Sequence, residues 1–530
     1  MKKTKILSIV LAGILLAGSF AACAPSIDQQ PAAPAPAGQT AVTPAAPPPE
    51  AAPPVEQGPS GSLIITTAVE TPSVAPARHN SAAGFFKNIM THNGLFRQNY
   101  VDLEPTPDLV ESWRAISDTV FEFTLHEGIM FHNGEEMTSA DVEASFHYVR
   151  QYPETRTAHQ SAVGIEVIDR YTFTLDTGTP NAALFFDLVG QGNFVMPKSL
   201  IDSGHDFTVE PIGSGPFVFE DWRLGDSLHF RAFDNFFQPE RAAKIEEVTW
   251  RIIPEGSSRT IALETGEVDL IVEVAYADVA RLQADPNVTV FMRPGPALNH
   301  IVLNHSRPQF ANVYARRAIS MAVDQEALVM AAFDGLAVPL RAQIPTVFVG
   351  SSEEGVLPFD PEGAKALLAE HGIDPASLAF DMIATTEERR RMAEVVQAQM
   401  HDIGIPTTIT MMDHATSIDI MNDGNYDSGF GMWGGTFIIS TFRGVFHGGI
   451  GNRSRIDNPE LNELIDRAIA TADAGQRAAI FEEASRVLNE YVGSIPTHMP
   501  MSIRAFNARL IVPEISATGA LNLGMAYWAD

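Results

Sequence analysis

The sequence predicts an α/β protein with mixed sheets. Short runs rich in β-branched and aromatic residues alternate with amphipathic stretches along the chain. The amphipathic stretches carry helix-cap signals at both ends. The chain has 530 residues, 45% of them hydrophobic and 19% charged, enough for two or three domains with their own cores.

The first element is a leader. Met1-Lys2-Lys3-Thr4-Lys5 precedes an apolar run from Ile6 to Phe20, then Ala21-Ala22-Cys23. A basic start, a short apolar stretch and small residues before a cut site read as a secretory signal peptide over 1–22. The run is too short to span a bilayer comfortably. Cys23 is the single cysteine. Its placement resembles the lipobox of bacterial lipoproteins, in which the thiol is diacylated; Phe20 stands where an aliphatic residue is usual. That resemblance implies an extracytoplasmic protein, anchored by lipid to the cell membrane at the cell surface or in the periplasmic space. Two or more acyl chains give stable anchoring. Residues 23–61 form a Pro/Ala-rich linker, for example Pro31-Ala32-Ala33-Pro34-Ala35-Pro36. Such a segment buries too little apolar surface to fold, and its prolines favour an extended spacer.

The folded body starts at the buried-strand pattern Ser62–Thr67. Alternating strands follow at Val120–Leu125 and Tyr171–Leu175, and a further group at Pro216–Glu220, Ser227–Phe233 and Val248–Ile253. A helix is expected from Thr138 to Arg150, capped by Thr138 or Ser139. Another runs from Ser258 to Thr265, closed by Gly266. The second half mixes the strand Asn299–Asn304 with a long apolar-periodic stretch, Val313–Phe333. Helices are expected over Pro361–His371 and Glu387–Ile403, ended by Gly372 and Gly404. Two more follow, Pro459–Ala470 behind Asn458 and Gln476–Val492.

The formal net charge is −30; without the leader it is −33, from 32 basic and 65 acidic residues. Such a surface repels nucleic acid and anionic headgroups. With one cysteine, stability rests on burial rather than disulfides.

Several motifs occur in a fixed order. Leu125-His126-Glu127-Gly128-Ile129-Met130-Phe131-His132-Asn133-Gly134 leads into Met137-Thr138-Ser139-Ala140-Asp141-Val142. Pro211-Ile212-Gly213-Ser214-Gly215-Pro216-Phe217 precedes Trp222 and Asp234-Asn235-Phe236-Phe237. Arg259 to Leu270 holds Thr265-Gly266-Glu267-Val268-Asp269. Asn304, Pro308, Phe310, Arg316, Arg317, Ala318 and Asp324 form a fourth group. Phe359–Leu368 and Gln397–Ile405 complete the set. The glycine pair at 213 and 215 lacks the Gly-Lys-[Ser/Thr] end of a phosphate loop.

Together these motifs, over about residues 62–510, resemble the extracytoplasmic solute-binding proteins of ABC importers, family 5, the peptide/nickel/opine-binding class. The resemblance implies a two-lobed periplasmic-binding-protein fold, type II and large cluster C-like, with a hinge between the lobes. It implies lobe I over 62–295 with a third, inserted subdomain at about 82–210. Lobe II would span 296–497, with a C-terminal return to lobe I over 498–530. Ligand is then enclosed between the lobes by hinge closure.

The resemblance also nominates ligand-binding residues. Trp433 in Met432-Trp433-Gly434-Gly435-Thr436 is expected on the cleft wall, or otherwise as a core tryptophan. Thr436 stands where peptide binders carry the aspartate that pairs with the peptide amino terminus. Asp427, earlier on the same strand, could serve after a register change. The Trp-Gly-Gly run is also similar to nickel and metal-chelate binders, for which His447 and Arg156 are candidates to hold the metal and the chelator carboxylates. Arg443 is a further candidate carboxylate grip. His447, Arg156 and Arg443 also read as ordinary loop or surface residues.

The expected function is capture of a peptide-like solute and delivery to the permease subunits of an ABC importer. A metal-chelate binder of the same family and a surface receptor or adhesin on the same fold are the alternatives. Enzyme function is not expected: there is no Gly-x-Ser-x-Gly elbow, and Glu135-Glu136 and Glu353-Glu354 sit in glycine-flanked loops. No cofactor is expected, a metal chelate counting as ligand, and the protein is expected to act as a monomer.

Overall fold

A computed structural model describes residues 58–529, other than 80, 156–159, 191 and 450. The leader, Cys23, the linker up to residue 57 and Arg156 lie outside the described residues. Among the described residues, twelve strands join in one continuous sheet, with a separate four-stranded sheet beside it. The class is α/β.

The first part of the large sheet is built on Ser62–Thr67, which runs parallel to Glu247–Ile252 and Leu270–Ile271. Ser227–Ala232 and Phe217–Arg223 extend it antiparallel. Leu63, Ile65, Phe230 and Trp250 are buried in its core. Gly213 and Gly215 enter this sheet beneath the end of the helix Ala82–Thr91. A Cβ on Gly215 would come 2.5 Å from the Thr91 carbonyl carbon, and one on Gly213 2.5 Å from His92 Cδ2. The motif is thus a close backbone approach that admits no side chain.

The second part is built on Leu298–Leu303, antiparallel to Ser428–Trp433. Phe380–Ala384 lies parallel to both Ser428–Trp433 and Thr407–Met411. The long strand Ile495–Asn507 belongs to both parts. Its first half pairs with Leu298–Leu303, its second with Val288–Pro294 and Leu270–Ile271. The chain therefore crosses between the parts twice, at Gly295 and near Pro500. The Gly295 N–H donates to the Pro500 carbonyl at 2.7 Å, tying the crossings together.

The small antiparallel sheet orders Val110–Ala115, Val120–Leu125, Thr172–Asp176 and Gly164–Val167. Its core, with Phe121, Phe123, Phe131 and Phe173, continues into Phe437, Ile438, Phe442 and Phe481 of the second part. The Ala182 N–H donates to the Ile469 carbonyl at 2.6 Å across this junction.

Local signals explain the helix ends. Thr138 and Asp141 form a capping box on Ser139–Val149. Asn458 Oδ1 accepts from Leu461 N at the start of Pro459–Ala470. Gly266, Gly372 and Gly404 follow their helices with φ of 73°, 62° and 84°. The stretch Val313–Phe333 differs from one long helix: it splits into Val313–Met321 and Gln325–Phe333. Asp324 causes the break, because its carboxylate accepts from the N–H groups of Glu326 and Ala327 and starts a new helix.

Candidate functional site

A cavity of about 540 Å³ lies between the two parts of the sheet, over the crossings. Gly295, Pro296 and Ala297 of one crossing and Pro500, Met501 and Ser502 of the other line it. The first part supplies Ser81, Phe85 and Phe86 from the start of the helix Ala82–Thr91, where Ser81 is the N-cap. It also supplies Gln98, Val189, Gly190, Ala517 and Thr518. The second part supplies Gly434, Thr436 and Phe437, the turn after the strand Ser428–Trp433. None of the lining residues is charged.

Polar contacts bridge the parts at the cavity rim. Gln98 Nε2 donates to the Thr436 carbonyl at 3.3 Å. Thr518 Oγ1 donates to Gln98 Oε1 at 3.4 Å. The rings of Phe186 and Phe437 meet edge-on at 5.0 Å. Ser502 Oγ is buried with no hydrogen-bond partner among the described residues. Such a group costs stability unless a ligand or water satisfies it.

Trp433 is held at the edge of this turn by glycines. A Cβ on Gly435 would lie 2.7 Å from its Nε1, one on Gly444 2.5 Å from Cη2, and one on Gly451 3.0 Å from Cε3. The indole Nε1–H is buried and unpartnered among the described residues. Trp433 packs on the shared core and lines a second, smaller cavity, so it is both core and wall.

Thr436 is exposed and lines the main cavity. Asp427 does not line it. The strand pairs without a shift from Leu303↔Ser428 to Leu298↔Trp433, so Asp427 stays at the far end, before the strand. There its carboxylate lies 3.5 Å from Arg307 Nε and accepts from Asp381 N at 3.2 Å. The register change that would carry Asp427 into the cleft is absent.

Arg443 and His447 lie on and just past the short π-helical turn Phe442–Phe446, outside the cavity lining. His447 Nε2 is 3.4 Å from Asp466 Oδ1 on Pro459–Ala470. Arg443 is exposed, and its charge acts on Asp187, whose carboxyl burial pushes above its ordinary pKa. No group of three or more metal-binding side chains occurs among the described residues.

The lining from Ser81, Gln98, Ser502 and Thr518 carried no sequence signal. These residues meet only because segments hundreds of positions apart converge on the crossings.

Heme-binding protein A of Haemophilus influenzae is 27% identical over 441 residues, 76% of this chain and 80% of that protein. The glutathione-binding protein GsiB of Salmonella paratyphi A is 23% identical over 443 residues, 79% of this chain and 85% of that protein. The structure of HbpA2 from Haemophilus parasuis superposes with a TM-score of 0.82 at 23% identity, covering 89% of this chain and all of that one. The open form of the murein tripeptide-binding protein MppA gives 0.80 at 20% identity, over 88% and 97%. These structures share the two-lobed fold. The sequence model of the bacterial extracellular solute-binding proteins, family 5 Middle, matches residues 104–441. The chain belongs to the family 5 bacterial extracellular solute-binding proteins, a family of transport receptors rather than enzymes.

Proposed function

We propose that this protein captures a peptide-like solute in the cavity between its lobes and presents it to the permease of an ABC importer. The observation that supports this reading is the uncharged cavity itself. Its volume of about 540 Å³ falls in the usual range for ligand sites. Its lining alternates aromatic walls, Phe85, Phe86 and Phe437, with the hydrogen-bonding groups of Gln98, Thr436, Ser502 and Thr518. That mixture suits a chain of amides bearing uncharged side groups. Relatives named for glutathione and heme, and a neighbour described in complex with the peptide STSA, fit a solute of this size class.

The cavity offers no carboxylate to a free ammonium, which is costly to bury without a counter-charge. The amino end of the solute therefore lies outside the cavity or carries no charge. His447 has the Asp466 carboxylate beside it, but no group of three or more metal-binding side chains occurs among the described residues, which gives the chelate alternative little support. We assign no resident cofactor; a metal would arrive only within the solute. The protein acts as a monomer tethered by acylated Cys23, with the linker as spacer. Among the described residues no helix is long and apolar enough to cross a membrane.

Native mass spectrometry of the protein purified gently from cells in rich medium tests the reading. A spread of peptide masses is expected. One discrete adduct with a metal isotope pattern would overturn it.

A further inference from the structure

A hairpin lies across the rim of the main cavity. Phe96–Gln98 pairs antiparallel with Pro105–Pro107, so Gln98 stands opposite Pro105 and next to Glu104. Local bonds fix the tip. The Asn99 N–H donates to the Glu104 carbonyl at 2.9 Å, the Val101 N–H to Asn99 Oδ1 at 2.7 Å, and the Glu104 N–H to Asp102 Oδ1 at 3.0 Å. Leu103 is buried and takes a φ of 66°. A leucine holds that left-handed conformation only where its surroundings impose it, and such strain gathers at functional segments.

Two arginines hold this hairpin from different sides. Arg293 sits at the end of Val288–Pro294, just before the crossing at Gly295. Its Nη1 donates to the Tyr100 carbonyl at 2.8 Å and its Nη2 to the Val101 carbonyl at 2.6 Å. Arg477 comes from the first turn of Ala474–Tyr491, in the second part, and its Nη2 is 3.5 Å from Glu104 Oε2. It is buried, with the guanidinium 5.1 Å from the centre of the Phe186 ring. Nη1 donates to the carbonyls of Thr471 and Ala472 at 3.3 and 3.0 Å. Among the described residues Glu104 is the one carboxylate within ion-pair distance of Arg477.

The two grips differ in tightness. The bonds from Arg293 have the short lengths of charged donors. The contacts with the second part are long: 3.5 Å for Glu104 with Arg477, and 3.3 Å for Gln98 with the Thr436 carbonyl. The hairpin is thus fast to a crossing strand and lightly laid on the second part. The junction behind it is tight again, where the Ala182 N–H meets the Ile469 carbonyl at 2.6 Å outside the cavity lining. The loose contacts are those at the cavity.

We propose that the hairpin Phe96–Pro107 is a strap over the cavity, and that Glu104 and Arg477 are a positioning pair that sets how long it stays closed, acting through Gln98. Neither side chain of the pair lines the cavity. Drawing the pair together moves the strand end that carries Gln98 toward Thr436, and a half-buried ion pair gains as it shortens and sheds water. The strap stands apart from the peptide-like reading; only the solute arm of its test rests on that reading.

Amide hydrogen exchange of the full chain, with no solute added, tests the strap. Glu104→Gln keeps the side-chain shape and leaves the carbonyl bonds of Arg477 in place. It should speed exchange over residues 96–107 about tenfold and leave the strand Phe380–Ala384 unchanged. Adding Glu104→Gln to Arg477→Gln should bring no further acceleration of the hairpin, because the pair acts as one unit. An unchanged hairpin, equal acceleration of hairpin and strand, or a further acceleration in the double variant would overturn the strap. In the solute arm, the protein is loaded with mixed tri- to pentapeptides and their loss after dilution is followed by native mass spectrometry. Glu104→Gln should lose them about tenfold faster. Equal loss from a faster-exchanging hairpin would overturn the pair's control of the solute. If the unaltered protein retains no peptide, the peptide reading fails while the exchange result still decides the strap.

Discussion

Gly444 lies flat against the indole of Trp433, so close that a Cβ would sit 2.5 Å from Cη2. The turn after Ser428–Trp433 can close only because position 444 carries no side chain. Gly444→Ala must push the indole toward the cavity or unwind the turn Phe442–Phe446. Overpacking of this kind costs about 1–3 kcal/mol. Urea melts should show that loss, with retention of co-purified solute falling as well. Gly164→Ala, with open space where its Cβ would go, should shift the urea midpoint little. Equal midpoints for the two variants would mean that the indole is not confined.

Arg316 makes a different kind of closure. Its guanidinium is 1% exposed and donates to the carbonyls of Phe310, Ala311, Tyr491 and Val492 at 2.8–3.2 Å. It ties the start of the helix Val313–Met321 to the end of Ala474–Tyr491, where Val492 takes a φ of 54°. Arg316→Met should leave those carbonyls unsatisfied and destabilise the protein by about 3–5 kcal/mol. Arg316→Lys should recover only part of this, because one ammonium cannot reproduce a planar fork. Thermal melts of the three proteins check the order.

Much of the fold was legible because its signals are local. Thr138 with Asp141, Asn458 before Pro459, and glycines at 266, 372 and 404 announce helix ends whatever surrounds them. Asp324 was also visible, but the apolar period through Val313–Phe333 outweighed a single capping side chain. Trp433 and Thr436 stood out through the Trp-Gly-Gly run, and the structure sets them on either side of one turn. Asp427 shows the limit: its side-chain face depends on register, which the partner strand decides.

Acid should destabilise the fold through its buried histidines. Burial lowers the pKa of His92, His300 and His305 to about 3, and of His132 and His498 to about 4. In the unfolded chain each titrates near 6.5. Below that pH the unfolded state binds more protons, so stability falls with pH until the folded values are reached. Each such histidine removes about 1.4 kcal/mol per pH unit in this window. His305, whose pKa is lowered chiefly by burial and then by the charge of Arg316, gives a direct test. His305→Gln should flatten the slope of the urea midpoint between pH 6.5 and 4. An unchanged slope would mean that its ring charges in place.

Lys87 should be replaceable at a gain. It sits on Ala82–Thr91, 2% exposed, with Nζ 4.2 Å from the centre of the Trp250 ring. Nζ has no hydrogen-bond partner among the described residues. Burial lowers its pKa to about 8, and the charge of Glu273 offsets that only in part. Between the folded value near 8 and the unfolded value near 10.4 the unfolded chain holds more protons, so stability rises with pH through this window and is lowest below it. At pH 7 the ammonium is charged and buried, at a cost that the ring contact relieves only partly. Lys87→Met keeps the volume and removes the charge. It should stabilise the protein at pH 7 by about 1–3 kcal/mol and lose that advantage by pH 10. Chemical denaturation at the two pH values reads the difference directly. A variant less stable at pH 7 would show that the ammonium is satisfied where it lies.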